Sequence, residues 1–278
     1  MENIFFMVYN NIKGEKMGRK IVVTSGKGGV GKTTVVAGLA RALAKEGVTV
    51  CVVDADMGLN NLDLLMEVEN RVVYDIVDCM QAKCRIKQAL IKDVLMDNLY
   101  TMPSGKMLTS QVVCSFSSIV GKLAEIFDFV IVDSPAGLDA GFKQAVGCCN
   151  EVLVVVTPHI SSIRDASKVL SRVSVLPNII MNKLVVNRIR GDLVAGKNML
   201  SHAEIAKLLA TECVGIIPES DCYNMTSTIN FMMDDEDCFK KGFKILAKNL
   251  INQTAIELDY VNKYRGVVGY FRRKFKKL

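Results

Sequence analysis

Between an apolar run and a helix-period segment the chain reads Gly26-Lys27-Gly28-Gly29-Val30-Gly31-Lys32-Thr33-Thr34. The segment satisfies G-x-x-x-x-G-K-T, and Ile21-Val22-Val23 precedes it as a strand should. Glycines let the backbone curl until successive amides point inward at phosphate oxygens. Amides and dipole at the start of the helix that follows add positive potential. In such a loop Lys32 reaches the β- and γ-phosphates of a nucleotide, and the Thr33 hydroxyl ligates Mg²⁺. Gly26, Lys27, Gly28, Gly29, Val30, Gly31, Lys32, Thr33 and Thr34 are therefore the candidate nucleotide-binding residues, with ATP and Mg²⁺ as the implied cofactors.

Outward from this loop, apolar runs of strand length alternate with helical periods. Strands are expected over 20–25, 48–53, 98–102, 127–133, 151–157, 178–182 and 214–217, and helices over 33–46, 109–125, 162–176, 201–210 and 239–260. Ser201 and Glu204 make a capping-box pattern at one helix start. Continuous β-branched runs such as Val152-Leu-Val-Val-Val156 fit strands buried on both faces. The expected fold class is α/β: a doubly wound, mostly parallel sheet with helices on both faces, followed by a C-terminal amphipathic helix. No internal repeat interrupts it.

Three carboxylates accompany the loop. Asp54 and Asp56 close the second expected strand, where alternation points both toward one side. Asp133 closes Phe129-Val-Ile-Val132 and precedes Ser134-Pro135-Ala136-Gly137. An acid ending an apolar strand beside a phosphate loop holds Mg²⁺ directly or through its water.

Composition bounds the rest. Half of the 278 residues are hydrophobic and 23% are charged, enough for a core and too apolar for long disorder. Nine cysteines are scattered without a CxxC, which suits a reduced, cytosolic setting better than a disulfide framework. No stretch approaches the ~20 apolar residues of a membrane span. Residues 1–16 hold one short apolar run without the flanks of a signal peptide, and are read as an extension of unknown role before a domain over 17–262. Met17-Gly18-Arg19-Lys20 runs straight into the first strand, which makes Met17 a candidate start.

Charge is concentrated at one end. The formal net charge is +6, yet residues 263–278 carry seven Lys/Arg and no acid, so residues 1–262 sum to −1. At about 100° per residue, Tyr264, Val267, Val268, Phe271, Phe275 and Leu278 share an arc of about 100°. Arg265, Arg272, Arg273, Lys276 and Lys277 lie opposite, with Lys274 at the apolar margin. An aromatic-rich face beside a basic one describes a helix lying in a membrane interface. Each well-placed Lys or Arg is worth on the order of 1 kcal/mol on anionic lipid. Gly266 and Gly269 disfavour the helix in water by about 1 kcal/mol each, so this targeting tail is expected to fold on contact with lipid.

The second lysine of the loop, Lys27, resembles the pattern K-G-G-x-G-K-[ST] of the deviant Walker A ATPases, the MinD/ParA family. The segments 58–66, 71–77, 88–92 and 133–137 resemble its MinD branch in particular. The resemblance runs from about residue 17 to the C-terminus and is weaker over 102–127 and 160–201. It implies an ATP-sandwiched homodimer in which Lys27 crosses to the partner's phosphates, with Lys27, Lys32 and Asp56 catalytic. Asp56 would position the attacking water, and Thr33, Asp54 and Asp133 would build the metal shell. Asn182, read as following a strand, and Pro218 would meet the base. The implied activity is slow, partner-stimulated ATP hydrolysis that places the division septum from the cytoplasmic face of the membrane. Implied partners are anionic inner-membrane lipids, a MinC-type division inhibitor, and MinE or another topological factor, with no nucleic acid. A flagellar-number regulator of the FlhG kind ranks second, since 1–16 carries no activating motif. A ParA-type DNA-partition ATPase ranks below it, because residues 1–262 lack basic excess. An iron–sulfur carrier would need the absent CxxC.

Overall fold

A computed structural model describes residues 17–57, 61–105, 113–220, 238–266 and Gly269. The extension over 1–16 and the tail residues Val267, Val268, Phe271, Arg272, Arg273, Lys274, Phe275 and Leu278 lie outside the described residues. No described helix is long and apolar enough to cross a membrane.

Eight strands form one sheet in the order β3-β4-β2-β5-β1-β6-β7-β8. They are β1 (Arg19–Thr24), β2 (Val50–Asp54), β3 (Ile91–Lys92), β4 (Leu99–Met102), β5 (Phe129–Asp133), β6 (Glu151–Val156), β7 (Met181–Ile189) and β8 (Cys213–Pro218). All neighbours pair parallel except the short edge pair β3–β4. The expected doubly wound α/β sheet is therefore present. Chain progression reverses at β1, between β5 and β6, which places a binding crevice at the carboxyl ends of these strands.

Strand residues alternate between two cores. Ile21, Val23, Leu153 and Val155 join the layer of α1 (Lys32–Lys45) and the final long helix (Cys238–Asn252). Val22, Val152, Val154 and Val156 face the opposite layer, which holds α5 (Phe116–Ala124) and α7 (Ile160–Val173). The remaining helices, numbered in chain order, are α2 (Asn61–Leu65), α3 (Ile76–Met80), α4 (Ile86–Ala89), α6 (Ala140–Gly147), α8 (Gly191–Ala195), α9 (His202–Leu208) and α10, the final one. Gly38 lets α10 approach α1: a Cβ there would stand 2.5 Å from the Phe243 ring.

Several boundaries depart from the sequence reading. The strand expected over 178–182 is instead Met181–Ile189. Asn178 is spent holding the preceding turn, its amide donating to the carbonyls of Val146 and Cys149. The helix expected over 239–260 stops at Asn252. There the buried Asn249 amide donates to Val214 and Ile256 carbonyls and accepts from Thr254 and Ile256, drawing the chain off the helix axis. The helix expected over 109–125 is described over Phe116–Ala124, where Ser115 caps it by accepting from Ser118 N–H. Ser201 and Glu204 form their capping box on α9. The five short helices α2, α3, α4, α6 and α8 and the strand β3 had no counterpart in the sequence reading, being too short to show a period.

Candidate nucleotide site

The loop joins β1 to α1 at the reversal point. Gly29 and Gly31 adopt φ of 78° and 84°, left-handed values that a β-carbon resists. Gly31 is also the N-cap of α1, and among the described residues no side chain caps that helix. Its first-turn amides are thus left for a ligand to satisfy. Gly26 is glycine for space: a Cβ would meet the backbone of Asp165 on α7 at 2.3 Å. At Gly28 and Gly29 nothing among the described residues lies within 4 Å of an added Cβ, so these residues leave room over that part of the loop. Val30 is buried, while Thr33 and Thr34 are partly exposed at the helix start.

Lys32 turns inward. Its Nζ lies 2.5 Å from Asp133 Oδ1, and the two side chains are 8% and 2% exposed. The Thr33 hydroxyl lies close enough to the same carboxylate to favour its charged form. Burial raises the Asp133 carboxyl above the usual range; Lys32 and Thr33 pull it back, and nearby Asp56 pushes it up again. Asp54 is paired in register with Asp133 across β2 and β5. Its Oδ1 accepts Asp56 N–H at 2.8 Å and its Oδ2 accepts the Ser104 hydroxyl at 3.1 Å. Burial is the main cause of its pKa rising to about 7, with Asp133 and Asp63 adding repulsion. β2 ends at Asp54, so Asp56 stands in the following bend, half-exposed, rather than on the same strand face. Asp54 acts as the brace of that bend.

The donor set suits a hard cation. A hydroxyl at Thr33 and carboxylates at Asp133 and Asp54 are oxygen ligands or water-holders of the kind Mg²⁺ takes beside phosphates. Among the described residues no group of three or more His, Cys, Asp or Glu forms a closed metal cage. A cation here would therefore draw much of its coordination from a nucleotide.

Lys27 leans the other way, donating to Ser161 Oγ at 3.0 Å on α7, near Asp165. Pro218 ends β8 at the carboxyl edge, beside Ile189 of β7. Asn182 needs correction. It does not follow a strand but is the second residue of β7, opposite Val152, toward the amino end of the sheet. The asparagine at the carboxyl end is Asn187, buried, its amide donating to Val30 O at 2.8 Å. A Cβ on Gly31 would stand 2.4 Å from that same amide nitrogen. Asn187 thus braces the loop from β7, a part the sequence reading missed. The signal was present in the second apolar run, Leu184-Val185-Val186, which an asparagine also terminates. Exchanging Asn187 for alanine strands the Val30 carbonyl. We expect nucleotide affinity to fall about tenfold, roughly 1.4 kcal/mol, as titration calorimetry with Mg²⁺-ADP would register.

Residues 21–227 match the model of the CobQ/CobB/MinD/ParA nucleotide binding domain. The septum site-determining protein MinD of Thermotoga maritima is 36% identical over 271 residues, 94% of this chain and 99% of that protein. The fold matches MinD in the MinC:MinD cell division protein complex of Aquifex aeolicus with a TM-score of 0.77, at 36% identity, over 87% of this chain and 99% of that one. It also matches the septum site-determining protein MinD of Pyrococcus horikoshii, complexed with Mg-ADP, with a TM-score of 0.72 at 25% identity, over 84% and 96% of the two chains.

Proposed function

The chain belongs to the MinD/ParA family of P-loop ATPases, among the septum site-determining MinD proteins, and on that premise we propose that it is an ATP-timed membrane switch for placing the division septum. The observation that carries the reading is the convergence of Lys32, Thr33, Asp133 and the Asp54-braced bend on one loop at the carboxyl edge of the sheet. A second lysine, Lys27, stands outside that cluster.

In this reading the phosphates of ATP draw Lys32 away from Asp133, exchanging one anionic partner for another. Mg²⁺, held by Thr33 and Asp133, would neutralise charge on the transferring phosphoryl group. Asp56, on its bend, orients the attacking water. Lys27 leaves Ser161 to meet the phosphates of a second copy, so the ATP state is a dimer and the cation acts in trans. The A. aeolicus complex supports a MinC-type inhibitor as one partner. MinE or another topological factor and anionic lipids complete the proposed set.

The tail turns dimerisation into membrane binding. One short amphipathic helix holds weakly and reversibly, and firm attachment takes two signals. A dimer offers two tails on one body, raising avidity without new contacts. Hydrolysis removes the γ-phosphate that joins the copies, and each tail then lets go. Hydrolysis in this scheme is a timer.

Co-sedimentation with anionic vesicles tests it, using full-length protein and a truncation lacking residues 264–278. Pelleting is expected in Mg²⁺-ATP, several-fold less in Mg²⁺-ADP, and none for the truncation in either. Equal pelleting in both nucleotides would make the tail a constitutive anchor and remove the timer.

A further inference from the structure

We propose that Cys79 and Cys84 form a reversible dithiol–disulfide site, oxidised through Cys84 by a small-molecule disulfide. Their sulfurs stand 3.4 Å apart as free thiols. The fold builds this approach. Cys79 lies in the last turn of α3, and three backbone bonds reverse the chain after it: Gln81 N–H to Val77 O, Ala82 N–H to Cys79 O, and Lys83 N–H to Asp78 O. Ala82 makes the reversal with φ of 57°, the left-handed value of a helix C-terminal turn. The chain then lays Cys84 back over Cys79. A disulfide needs the sulfurs to close to about 2.05 Å, a shift of about 1.4 Å that side-chain torsion supplies while the three bonds stay made.

Access differs between the two thiols. Cys79 is buried at 5% exposure and Cys84 is partly exposed, so a soluble oxidant enters at Cys84. The other close pair, Cys148 and Cys149, has its sulfurs 3.8 Å apart but is buried at 4% and 2% and adjacent in sequence. Solvent reaches neither of them. Cys114 is the third thiol of the neighbourhood, since its N–H donates to Met80 O.

The chemistry balances in two exchanges. The Cys84 thiolate attacks a disulfide RSSR, giving a mixed disulfide at Cys84 and releasing one thiolate RS⁻. The Cys79 thiolate then attacks the Cys84 sulfur, closing Cys79–Cys84 and releasing the second RS⁻. The protein has lost two electrons and two protons, and RSSR has become two RSH. The second exchange is intramolecular between held groups, which favours it over hydrolysis or escape of the mixed species. Burial pushes both thiols up, Cys79 to about 12. Only the thiolate reacts, so closure is expected to quicken about tenfold per pH unit between pH ~7 and ~8.5.

The test uses reduced, desalted full-length protein exposed to oxidised glutathione under native conditions, then acid quenching, intact mass and peptide mapping. The expected result is a loss of about 2 Da, a Cys79–Cys84 cross-linked peptide, and full reversal by dithiothreitol. Cys79→Ser should halt at a glutathione adduct on Cys84, and Cys84→Ser should show neither species. A wild-type protein that stays reduced, halts at the adduct, or bridges Cys84 to Cys114 overturns the proposal, leaving the pair as packing of two small hydrophobes.

Discussion

Replacing Lys32 with alanine is expected to take ATP hydrolysis below detection, a fall of at least about 100-fold, or about 2.7 kcal/mol of transition-state stabilisation. The same change should also unsettle the fold. Lys32 and Asp133 form an ion pair with side chains 8% and 2% exposed. Removing one member of a buried pair leaves a charge without a partner, typically at about 3–5 kcal/mol. Asp133 softens the loss by taking a proton, because burial already holds its carboxyl above the usual range. A destabilisation near the lower end, about 3 kcal/mol, is therefore expected in urea unfolding. The double change Lys32→Ala with Asp133→Asn separates the two effects. It removes the stranded charge, so stability should return while hydrolysis stays absent. Recovery of hydrolysis in the double variant would show that Lys32 serves the fold and not the phosphates. Failure of stability to recover would show that the pair is not the source of the loss.

How much of this site was legible follows from how each part is encoded. The loop from Gly26 to Thr34 is contiguous, and its function rests on backbone shape and one following helix, so local sequence suffices. Asp133 is legible because a carboxylate ending an apolar strand is itself a local pattern. Asn187 was not. Asn182 and Asn187 flank the same apolar run, and only the pairing of Met181 with Glu151 and Val186 with Val156 tells which one lies at the loop end. Ser104 and Asp63, which shape Asp54, sit some fifty and nine residues from it and meet it only in the folded chain. The sheet itself was legible because its strands are buried on both faces and read as unbroken apolar runs. The end of α10 was not, because Asn249 stops it through bonds to Val214 and Ile256, one of them on another strand.

Stability of the nucleotide-free protein is expected to fall as pH rises from ~5 to ~8, by about 2–3 kcal/mol from Asp54 alone. Asp54 is 1% exposed, and its pKa stands at about 7 against an ordinary 3.8. Burial causes most of that rise, with Asp133 and Asp63 repelling it further against the opposing bonds from Asp56 N–H and Ser104. A carboxyl raised in the folded state favours folding while both states are protonated. Between pH ~4 and ~7 the unfolded chain releases its proton and the folded one does not, so stability drains away, and above ~7 the full cost of about 4 kcal/mol is in place. Asp63, raised to about 6 chiefly by burial, pushes the same way. Asp54→Asn keeps an oxygen for Asp56 N–H and removes the titration. Its urea-unfolding free energy should vary with pH by about 2–3 kcal/mol less than that of the wild type; equal slopes in EDTA would remove Asp54 as the cause. Mg²⁺ with ADP should flatten the wild-type slope as well, because a bound cation rewards the charged carboxylates. A buried acid poised near neutrality is costly for the empty protein and favourable for the loaded one. The expected consequence is that Mg²⁺ with ADP raises the unfolding free energy more at pH ~8 than at pH ~5.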